Sequence, residues 1–411
     1  MRDRKLSPKK ENLTGRWNNM LNFALEGIKV IDLTQVIMGP SCTAQLADHG
    51  AEVIKIEKPN YGDLSRQFAP YKDGESLPYQ AFNRNKKSIA IDLKNPIGLR
   101  ILHELIKVSD VIVNNFRPGV MDSLGLSYES ARSINKGIIY ACGTGFGLSG
   151  PLEKKMGHES VAQALGGLLE KNSSDGELPF RIPASVADTA TGHLLTVGIL
   201  LALNARHLTN EGQMVDVSLL DSVIWMQGWD VSGMANASDE HSYRTNPLDS
   251  GVYKTKDGMI IITGLFRSNP LRTISEVIGV KDLSQNERFK NVEAMSINAS
   301  ELISIIQAEI QKKPSQYWED EFEKVDIICA KILNLQDAIN QSQISHNNML
   351  VELKNENKKT KVIGIPTRLS ETPGKIRTYP PSIGQHTDEV LLGLGISDQE
   401  IHNYREKKII E

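Results

Sequence analysis

Short apolar runs rich in β-branched residues alternate with helical patterns along the first half of the chain. Apolar positions at helical spacing lie between several of the runs, most clearly from Cys42 to His49 and from Pro96 to Val108. Strands that alternate with helices in this way are typical of a parallel sheet with crossover connections, so the pattern predicts an α/β fold. The predicted strands are Ile28–Leu33, Ala51–Glu57, Lys86–Leu93, Asp110–Phe116, Gly137–Gly145 and Gln213–Leu219.

Two apolar helices, Glu159–Lys171 and Asp188–Arg206, are predicted before the last of these strands. Beyond about Met234 the pattern changes to a hairpin and amphipathic helices, which indicates a smaller α+β domain. One hydrophobic core seldom serves more than roughly 250–300 residues, and the chain has 411. The predicted parts are a flexible tail at 1–24, a large α/β domain at 25–230, a small α+β domain at 231–350 and a C-terminal return to the large domain at 351–411.

Composition fits an ordinary globular protein, with 40% hydrophobic and 24% charged residues. A net charge of −3 gives no field that would gather nucleic acid or anionic lipid, so neither is an expected partner. The longest apolar stretch, Leu194–Leu203, is about half of the ~20 residues that cross a bilayer and is expected to be a buried helix. Three widely spaced cysteines argue against disulfides and indicate a reducing, cytoplasmic compartment.

Several patterns that can carry chemistry are weak or absent. Gly145–Gly150 spells GxGxxG after a predicted strand, but Pro151 and charged residues follow where a dinucleotide fold needs a helix. A glycine-rich turn is the simpler interpretation. The sequence has no HExxH, paired CxxC, P-loop or GxSxG motif, so no metal site is predicted.

The candidate for the reaction centre is Asp188, which opens a strongly apolar helix in the stretch SVADTATGHLL. Taken alone, it reads as an N-cap or first-turn carboxylate that the helix dipole stabilises. Thirty residues upstream, His158 and Glu159 start another apolar helix. Three ionisable groups therefore lie at the starts of two adjoining helices, and this grouping favours a catalytic role for Asp188.

The ordered succession of motifs resembles the family III coenzyme A transferases, which share their fold with the α-methylacyl-CoA racemases. The resemblance covers the chain from about residue 25 to the C-terminus. It implies a Rossmann-like large domain and an interlocked homodimer. The stretches that carry it are LEGIKVIDLTQVIMGPSCTAQLADHGAEVIKIE, NRNKKSIAIDLK, VIVNNFRPGVMDSLGL, VADTATG and PTRLSETPGKIRTYPPSIGQHTDEVLLGLG.

The resemblance implies that Asp188 is the nucleophile of a CoA-transferase. Its carboxylate would attack an acyl-CoA thioester, form a mixed anhydride and then an enzyme-bound thioester, and pass CoA to a small carboxylic acid. Coenzyme A is then substrate and product, and no tightly bound cofactor is expected. The positions that hold CoA by resemblance are Val36, Ile37, Met38, Lys58, Ile91, Asp92, Leu93, Lys94, Asn115, Phe116 and Arg117, followed by the segment that ends in His158 and Glu159.

Some positions depart from the formyl-CoA transferases. Ile37 stands where those enzymes carry glutamine, and Ser123 stands where arginine is usual, which weighs against formyl or oxalyl substrates. The Gly-His-acid triplet ending at Glu159 is similar to the racemase acid/base pair. An α-methylacyl-CoA racemase that uses His158 and Asp188 is therefore the alternative, although the stretch from Arg244 to Gly258 is more similar to the transferases.

Overall fold

The computed structural model describes residues 22–172, 178–236, 247–264, 267–355 and 358–411. The predicted N-terminal tail lies outside these residues except for 22–24. There Phe23 is already packed, with its ring centroid 4.7 Å from the guanidinium carbon of Arg377. Arg244 also lies outside the described residues.

The chain divides into two compact units. The first consists of Met1–Gln227 and Asn348–Glu411, and the second of Gly228–Asn347. The sequence pattern had placed the corresponding boundaries at 230 and 350. The second unit is thus an insertion between two parts of the first.

A six-stranded parallel sheet forms the centre of the first unit, with the strand order β5-β2-β1-β6-β7-β8. The order runs outward from β1 in one direction through β2 and β5, and in the other through β6, β7 and β8. The chain therefore switches direction between β1 and β6. The strands are β1 (Lys29–Asp32), β2 (Glu52–Glu57), β5 (Lys86–Ala90), β6 (Val111–Asn114), β7 (Ile139–Thr144) and β8 (Met214–Ser218), and a short hairpin of β3 (Tyr71–Lys72) and β4 (Glu75–Ser76) precedes β5.

Helices cover both faces of this sheet, because its strands carry apolar side chains on both sides. One core contains Ile31 and Ile112 with the buried faces of α3 and α17, and the other contains Val30 and Val113 with α1 and α7. Helices of the first unit are α1 (Met38–Asp48), α2 (Leu77–Asn83), α3 (Pro96–Lys107), α4 (Val120–Ser123), α5 (Tyr128–Ile134), α6 (Glu159–Leu165), α7 (Val186–Thr209), α8 (Leu219–Met226), α16 (Thr387–Gly393) and α17 (Asp398–Glu406).

The second unit is a smaller α+β unit with its own core, which includes Trp318 and Phe322. Its three-stranded antiparallel sheet has the order β11-β10-β9, and β9 and β10 form the hairpin expected from the sequence. The elements are α9 (Gly228–Asn236), β9 (Gly251–Lys254), β10 (Met259–Thr263), α10 (Pro270–Ile278), α11 (Val292–Ile297), α12 (Ala299–Ile310), α13 (Ser315–Glu323), β11 (Ile328–Lys331), α14 (Leu335–Ile339) and α15 (Ser342–His346).

The chain then returns to the first unit. Strands β12 (Leu350–Asn355) and β13 (Lys358–Ile363) form an antiparallel pair. Further on, residues 386–411 lie along β5: the Ser88 carbonyl accepts a hydrogen bond from the His386 amide, and Ile91 bridges to Ile410.

Helices α6 and α7 differ from their predicted bounds. Helix α6 ends at Leu165 rather than Lys171, because Gly167 adopts a left-handed φ of 76° that an α-helix cannot continue through. Near the C-terminus, Gly395 with φ 81° lies between α16 and α17. Helix α7 is longer than predicted, and Asp188 lies in its first turn.

Helix α7 is also less buried than expected. By length and composition it could cross a membrane, a test that core helices of folded proteins also pass. Its inner face, including Leu195 and Ile199, is buried against the sheet. Val197 and Leu201 on its outer face are 50% and 64% exposed, so the helix expected to be buried is buried on one face.

Candidate active site

A cavity of about 330 Å³ lies at the carboxyl ends of β1, β6 and β7, beside the point where the strand order switches. In open α/β sheets this is where ligands bind, because the loops after the two diverging strands leave a crevice. The starts of α6 and α7 complete its walls. Of the residues predicted for the site, Val36, Ile37, Met38, Asn115, Phe116, Arg117, His158, Glu159 and Asp188 line this one cavity.

The other predicted CoA-binding positions do not line it. They follow β2 and β5, on the far side of β1 from the switch. Lys58 Nζ lies 4.8 Å from the centroid of the Tyr61 ring, and Ile91 is buried in the hydrophobic core. The Asp92 carboxylate accepts a hydrogen bond from the backbone N–H of Lys94, and Leu93 packs against the same core as Ile91. A CoA contact at these positions stays a prediction.

The loop after β1 is held in an unusual conformation. Val36 has a φ of 70°, a left-handed value that is rare for a β-branched residue and costs on the order of 1–3 kcal/mol. The Asn115 side chain accepts a hydrogen bond from the Gln35 N–H and donates one to the Gln35 carbonyl, each at 2.9 Å. The Val36 N–H donates to Asp63 Oδ1 at 3.1 Å. Side chains from two other loops thus fix the backbone that lines the cavity.

Asp63 is itself held by a buried ion pair. Its carboxylate lies 2.8 Å from Lys55 Nζ, and both side chains are fully buried. Burial alone would raise the pKa of Asp63, but Lys55 and the Ser65 donors bring that pKa below its usual value. Asp63 therefore stays ionised and remains an acceptor for the Val36 N–H. The sequence analysis missed both residues, since Lys55 stands in the middle of an apolar strand.

Glu159 organises the start of α7. Ser185, at the N-cap position, makes no side-chain capping bond. The Glu159 carboxylate takes that role from another helix, with Oε1 accepting from the Ala187 N–H at 3.1 Å and Oε2 from the Asp188 N–H at 2.7 Å. Gln163 Nε2 donates a third bond at 2.7 Å. Glu159 is buried and accepts three hydrogen bonds, two of which hold the start of α7, so it positions Asp188.

The Asp188 carboxylate itself is poorly solvated. It is half-buried, and no side chain or backbone group among the described residues donates a hydrogen bond to it. Burial disfavours its charged form, the negative charge of Glu159 adds to this, and together they raise the pKa of Asp188 to about 7. Asp188 also lies in the first turn of α7, the position that the structural interpretation gave it, but the direction of its pKa shift is opposite to that of a carboxylate stabilised by a helix dipole.

His158 is the N-cap of α6. Its Nδ1 accepts a hydrogen bond from the Ser160 N–H at 3.2 Å, and its ring is exposed to the cavity. The preceding residue, Gly157, packs against Gly145 so closely that a Cβ on either would lie within 2.6 Å of the other's Cα. These two glycines bring the end of β7 against the start of α6. Gly145 thus serves close packing within a turn, as the glycine-rich interpretation predicted.

The family follows from comparison with known proteins. The chain matches the model of CoA-transferase family III over residues 25–387, which is most of its length. This chain belongs to CoA-transferase family III. The expectation of a transferase of this family, drawn from the sequence, is confirmed.

Curated relatives of this family III CoA-transferase carry transferase names. It is 32% identical to the human succinyl-CoA:glutarate CoA-transferase, with 92% of this chain and 88% of that protein covered. It is 31% identical to the (R)-2-hydroxy-4-methylpentanoate CoA-transferase of Clostridioides difficile, with 94% and 99% covered. It is 33% identical to the acetyl-CoA:oxalate CoA-transferase of Acetobacter aceti, with 80% and 85% covered.

Solved structures share the fold of this family III CoA-transferase. A CaiB/BaiF family protein from Brucella suis aligns with a TM-score of 0.80 at 26% identity, covering 91% of this chain and all of that one. Rv3272 from Mycobacterium tuberculosis aligns with a TM-score of 0.79 at 28% identity, with 89% and 98% covered.

The cavity of this transferase also contains residues that were not predicted for the site from the sequence. Gln35 follows β1, and residues 143–147 run from the end of β7 into the segment after it, so the rule that sites form at carboxyl ends of parallel strands could have found them. Lys155 and Arg181 come from connecting segments, where no periodic pattern indicates which side chains converge.

The raised pKa of Asp188 predicts that this carboxyl destabilises the transferase at neutral and higher pH. The unfolded chain ionises it near about pH 4, so the penalty develops from there up to about pH 7 and is complete above it. Asp188→Asn should therefore raise the free energy of unfolding by roughly 1–3 kcal/mol at pH 8, and by less at pH 5. Denaturant titration at both pH values measures the difference.

A double-mutant cycle with Glu159→Gln isolates the repulsion between the two carboxylates. The gain from Asp188→Asn at pH 8 should be smaller in the Glu159→Gln background, because one source of the repulsion is already gone. Asp92→Asn, an aspartate outside the cavity, serves as the control substitution. An equal gain at pH 5 and pH 8 would contradict the assignment of a raised pKa.

Proposed function

We propose that this enzyme transfers CoA from an acyl-CoA thioester to a small free carboxylic acid, with Asp188 as the nucleophile. The observation that carries the proposal is the Asp188 carboxylate itself, which lies in the cavity with a raised pKa and without hydrogen-bond donors among the described side chains. Carboxylates in water are weak nucleophiles, and loss of solvation makes the ionised form more reactive.

The first half of the reaction loads CoA onto the enzyme. An oxygen of ionised Asp188 attacks the thioester carbonyl, the C–S bond breaks, and a mixed anhydride and CoA thiolate form. The thiolate then attacks the aspartyl carbonyl, which gives an aspartyl-CoA thioester and releases the donor acid as its carboxylate. The donor acid leaves with one oxygen that had belonged to Asp188.

The second half repeats these steps in reverse with the acceptor acid. Its carboxylate attacks the aspartyl thioester, CoA thiolate leaves, and the thiolate attacks the acceptor's own carbonyl in the new anhydride. The new acyl-CoA departs and Asp188 is restored, now holding one acceptor oxygen. One thioester replaces another at nearly equal energy, so no nucleoside triphosphate is consumed.

Charge in the cavity supports a CoA ligand. Arg117 and Lys155 line it, and neither makes an ion pair with any described residue. CoA carries phosphate groups that unpaired cations bind through charge-assisted hydrogen bonds. The loops after β1 and β6, which hold Val36 and Asn115, provide the walls at the switch of the sheet, where such ligands bind in α/β folds.

The acceptor belongs to the small carboxylic acids by analogy with the relatives, whose names include glutarate, oxalate and a hydroxylated branched acid. We place the enzyme in the reducing cytoplasm, in keeping with three cysteines that are all unpaired thiols.

Acyl exchange is the direct test. Incubation with a panel of acyl-CoAs and free acids, followed by mass spectrometry, should reveal new acyl-CoA species. Asp188→Asn should lower their rate of formation at least about 1,000-fold while the variant stays folded, because the nucleophile is gone and the shape is kept. In a single turnover with ¹⁸O-labelled acceptor, label should appear in the Asp188 peptide.

A parallel sample tests the racemase alternative. A 2-methylacyl-CoA in deuterated water would gain deuterium at its α-carbon if His158 and Asp188 exchanged that proton. Deuterium gain without acyl exchange, or full exchange activity in Asp188→Asn, would contradict the proposed transfer.

We also propose that the enzyme is a homodimer, as its resemblance to the family implied. Support comes from the first unit, where Leu201 on α7 and Trp225 on α8 are 64% and 74% exposed. Apolar residues of this size on neighbouring helices commonly mark an interface. Sedimentation velocity should give twice the mass of one 45.5 kDa chain, and a stable folded monomer would refute the dimer.

A further inference from the structure

The hydrogen bond at the start of α6 determines where the His158 ring carries its proton. Nδ1 accepts the Ser160 N–H at 3.2 Å, and an acceptor nitrogen must present a lone pair. In the neutral ring the proton is therefore on Nε2.

This tautomer limits what His158 can do in the cavity. A general base needs a free lone pair facing the substrate, but the lone pair of Nδ1 is used by α6 and Nε2 holds a hydrogen. The ring can donate a hydrogen bond through Nε2–H. Its position relative to the nucleophile is also fixed, because the next residue, Glu159, binds the backbone N–H of Asp188 at 2.7 Å.

We propose that His158 Nε2–H donates a hydrogen bond to the carbonyl oxygen of the thioester, and of the anhydride, as negative charge develops on it. The assignment rests on the proposed function. The proton stays on Nε2 throughout, and the charge on the oxygen returns to the breaking C–S or C–O bond when the carbonyl re-forms. A neutral donor of this kind lowers the barrier without taking part in proton transfer.

Two substitutions separate the capping role of His158 from the donating role. Asn places an oxygen where Nδ1 lies, so His158→Asn keeps the cap but has no donor at the position of Nε2. Gln reaches the position of Nε2 with its amide N–H but is a poor N-cap. We expect His158→Asn to keep the wild-type Tm and lose about 100-fold in kcat. His158→Gln should lower the Tm by a few degrees and keep kcat within about 10-fold.

Several outcomes would overturn the assignment. His158→Asn with wild-type kcat, or both variants losing kcat equally, would remove the donor role. So would deuterium incorporation into a 2-methylacyl-CoA that both variants abolish, since that would make His158 a base. Absence of acyl exchange in the wild-type enzyme would instead refute the proposed transfer itself, so the two failures are distinguishable.

A different observation concerns Arg181, on the segment before α7. Its side chain lines the cavity, is exposed, and makes no hydrogen bond or ion pair with any residue that the structure describes. The adjacent backbone is pinned: Ile182 N–H donates to Gln163 Oε1 at 3.0 Å, and Gln163 also donates to Glu159. The network that positions Asp188 therefore also anchors the chain beside Arg181.

We infer that Arg181 binds a second carboxylate at the far end of the acyl group, so that dicarboxylic acids are the preferred substrates. This inference too rests on the proposed function. The cavity positions assigned to CoA lie on the loops after β1 and β6 and on the segment ending in Glu159, whereas Arg181 belongs to the segment that leads into α7. An unpaired guanidinium matches a planar carboxylate with two parallel hydrogen bonds.

The test compares two acceptors of equal length with the same acyl-CoA donor, a five-carbon dicarboxylic acid and the five-carbon monocarboxylic acid. Wild type should favour the dicarboxylic acid in kcat/KM, and Arg181→Gln should lower that preference about 10- to 100-fold. Arg132→Gln, which removes an exposed arginine paired with Glu211, is the matched control and should keep the wild-type ratio.

An unchanged ratio in Arg181→Gln, or no preference in the wild type, would overturn the inference. An equally large rise in the KM for acyl-CoA in Arg181→Gln would also overturn the inference, because it would indicate that Arg181 binds the CoA phosphates. With each of these outcomes, CoA transfer to the monocarboxylic acid by the wild-type enzyme would still support the proposed function, so failure of the Arg181 inference is distinguishable from failure of that function.

Discussion

The hydrogen bond from the Asp188 backbone N–H to the Glu159 carboxylate is the contact on which the site depends. It caps a 24-residue helix that has no capping side chain of its own, and it ties the start of α6 to the start of α7. Hydrogen bonds to a charged group contribute about 1.5–3 kcal/mol each, which offsets the cost of burying the carboxylate. Burial raises the pKa of Asp188 and the negative charge of Glu159 adds to this, so the group that positions Asp188 also contributes to its raised pKa.

The opposite wall of the cavity, formed by the loop after β1, is also held in place by buried polar side chains. Val36 is held in a strained backbone conformation by Asn115 and by Asp63, and Asp63 is kept ionised by Lys55. Polar groups behind both walls therefore hold the walls in place. Inside the cavity, Arg117 and Lys155 form no ion pair with any described residue, and the Asp188 carboxylate accepts no hydrogen bond from one.

The sequence was sufficient for the sheet and for much of the site. β-branched runs marked the strands, because a sheet covered on both faces needs apolar residues on both sides of each strand. The succession of motifs gave the family and drew Asp188, His158 and Glu159 together. What it could not supply was the direction of hydrogen bonds: that Glu159 caps a helix other than its own, or that Nδ1 of His158 is an acceptor. Lys55 was missed because it stands in the middle of an apolar strand, and Arg181 because it belongs to a connecting segment, where no periodic pattern indicates which side chains converge on a cavity.

The return of residues 386–411 to β5 has a consequence for biosynthesis. Ser88 and Ile91 find their partners, His386 and Ile410, only after about 300 further residues have been made, and the whole second unit is translated in between. Until then one edge of the central sheet is open, and contacts of such long sequence separation form slowly. The inserted unit can therefore be complete during synthesis before the sheet of the first unit gains these contacts.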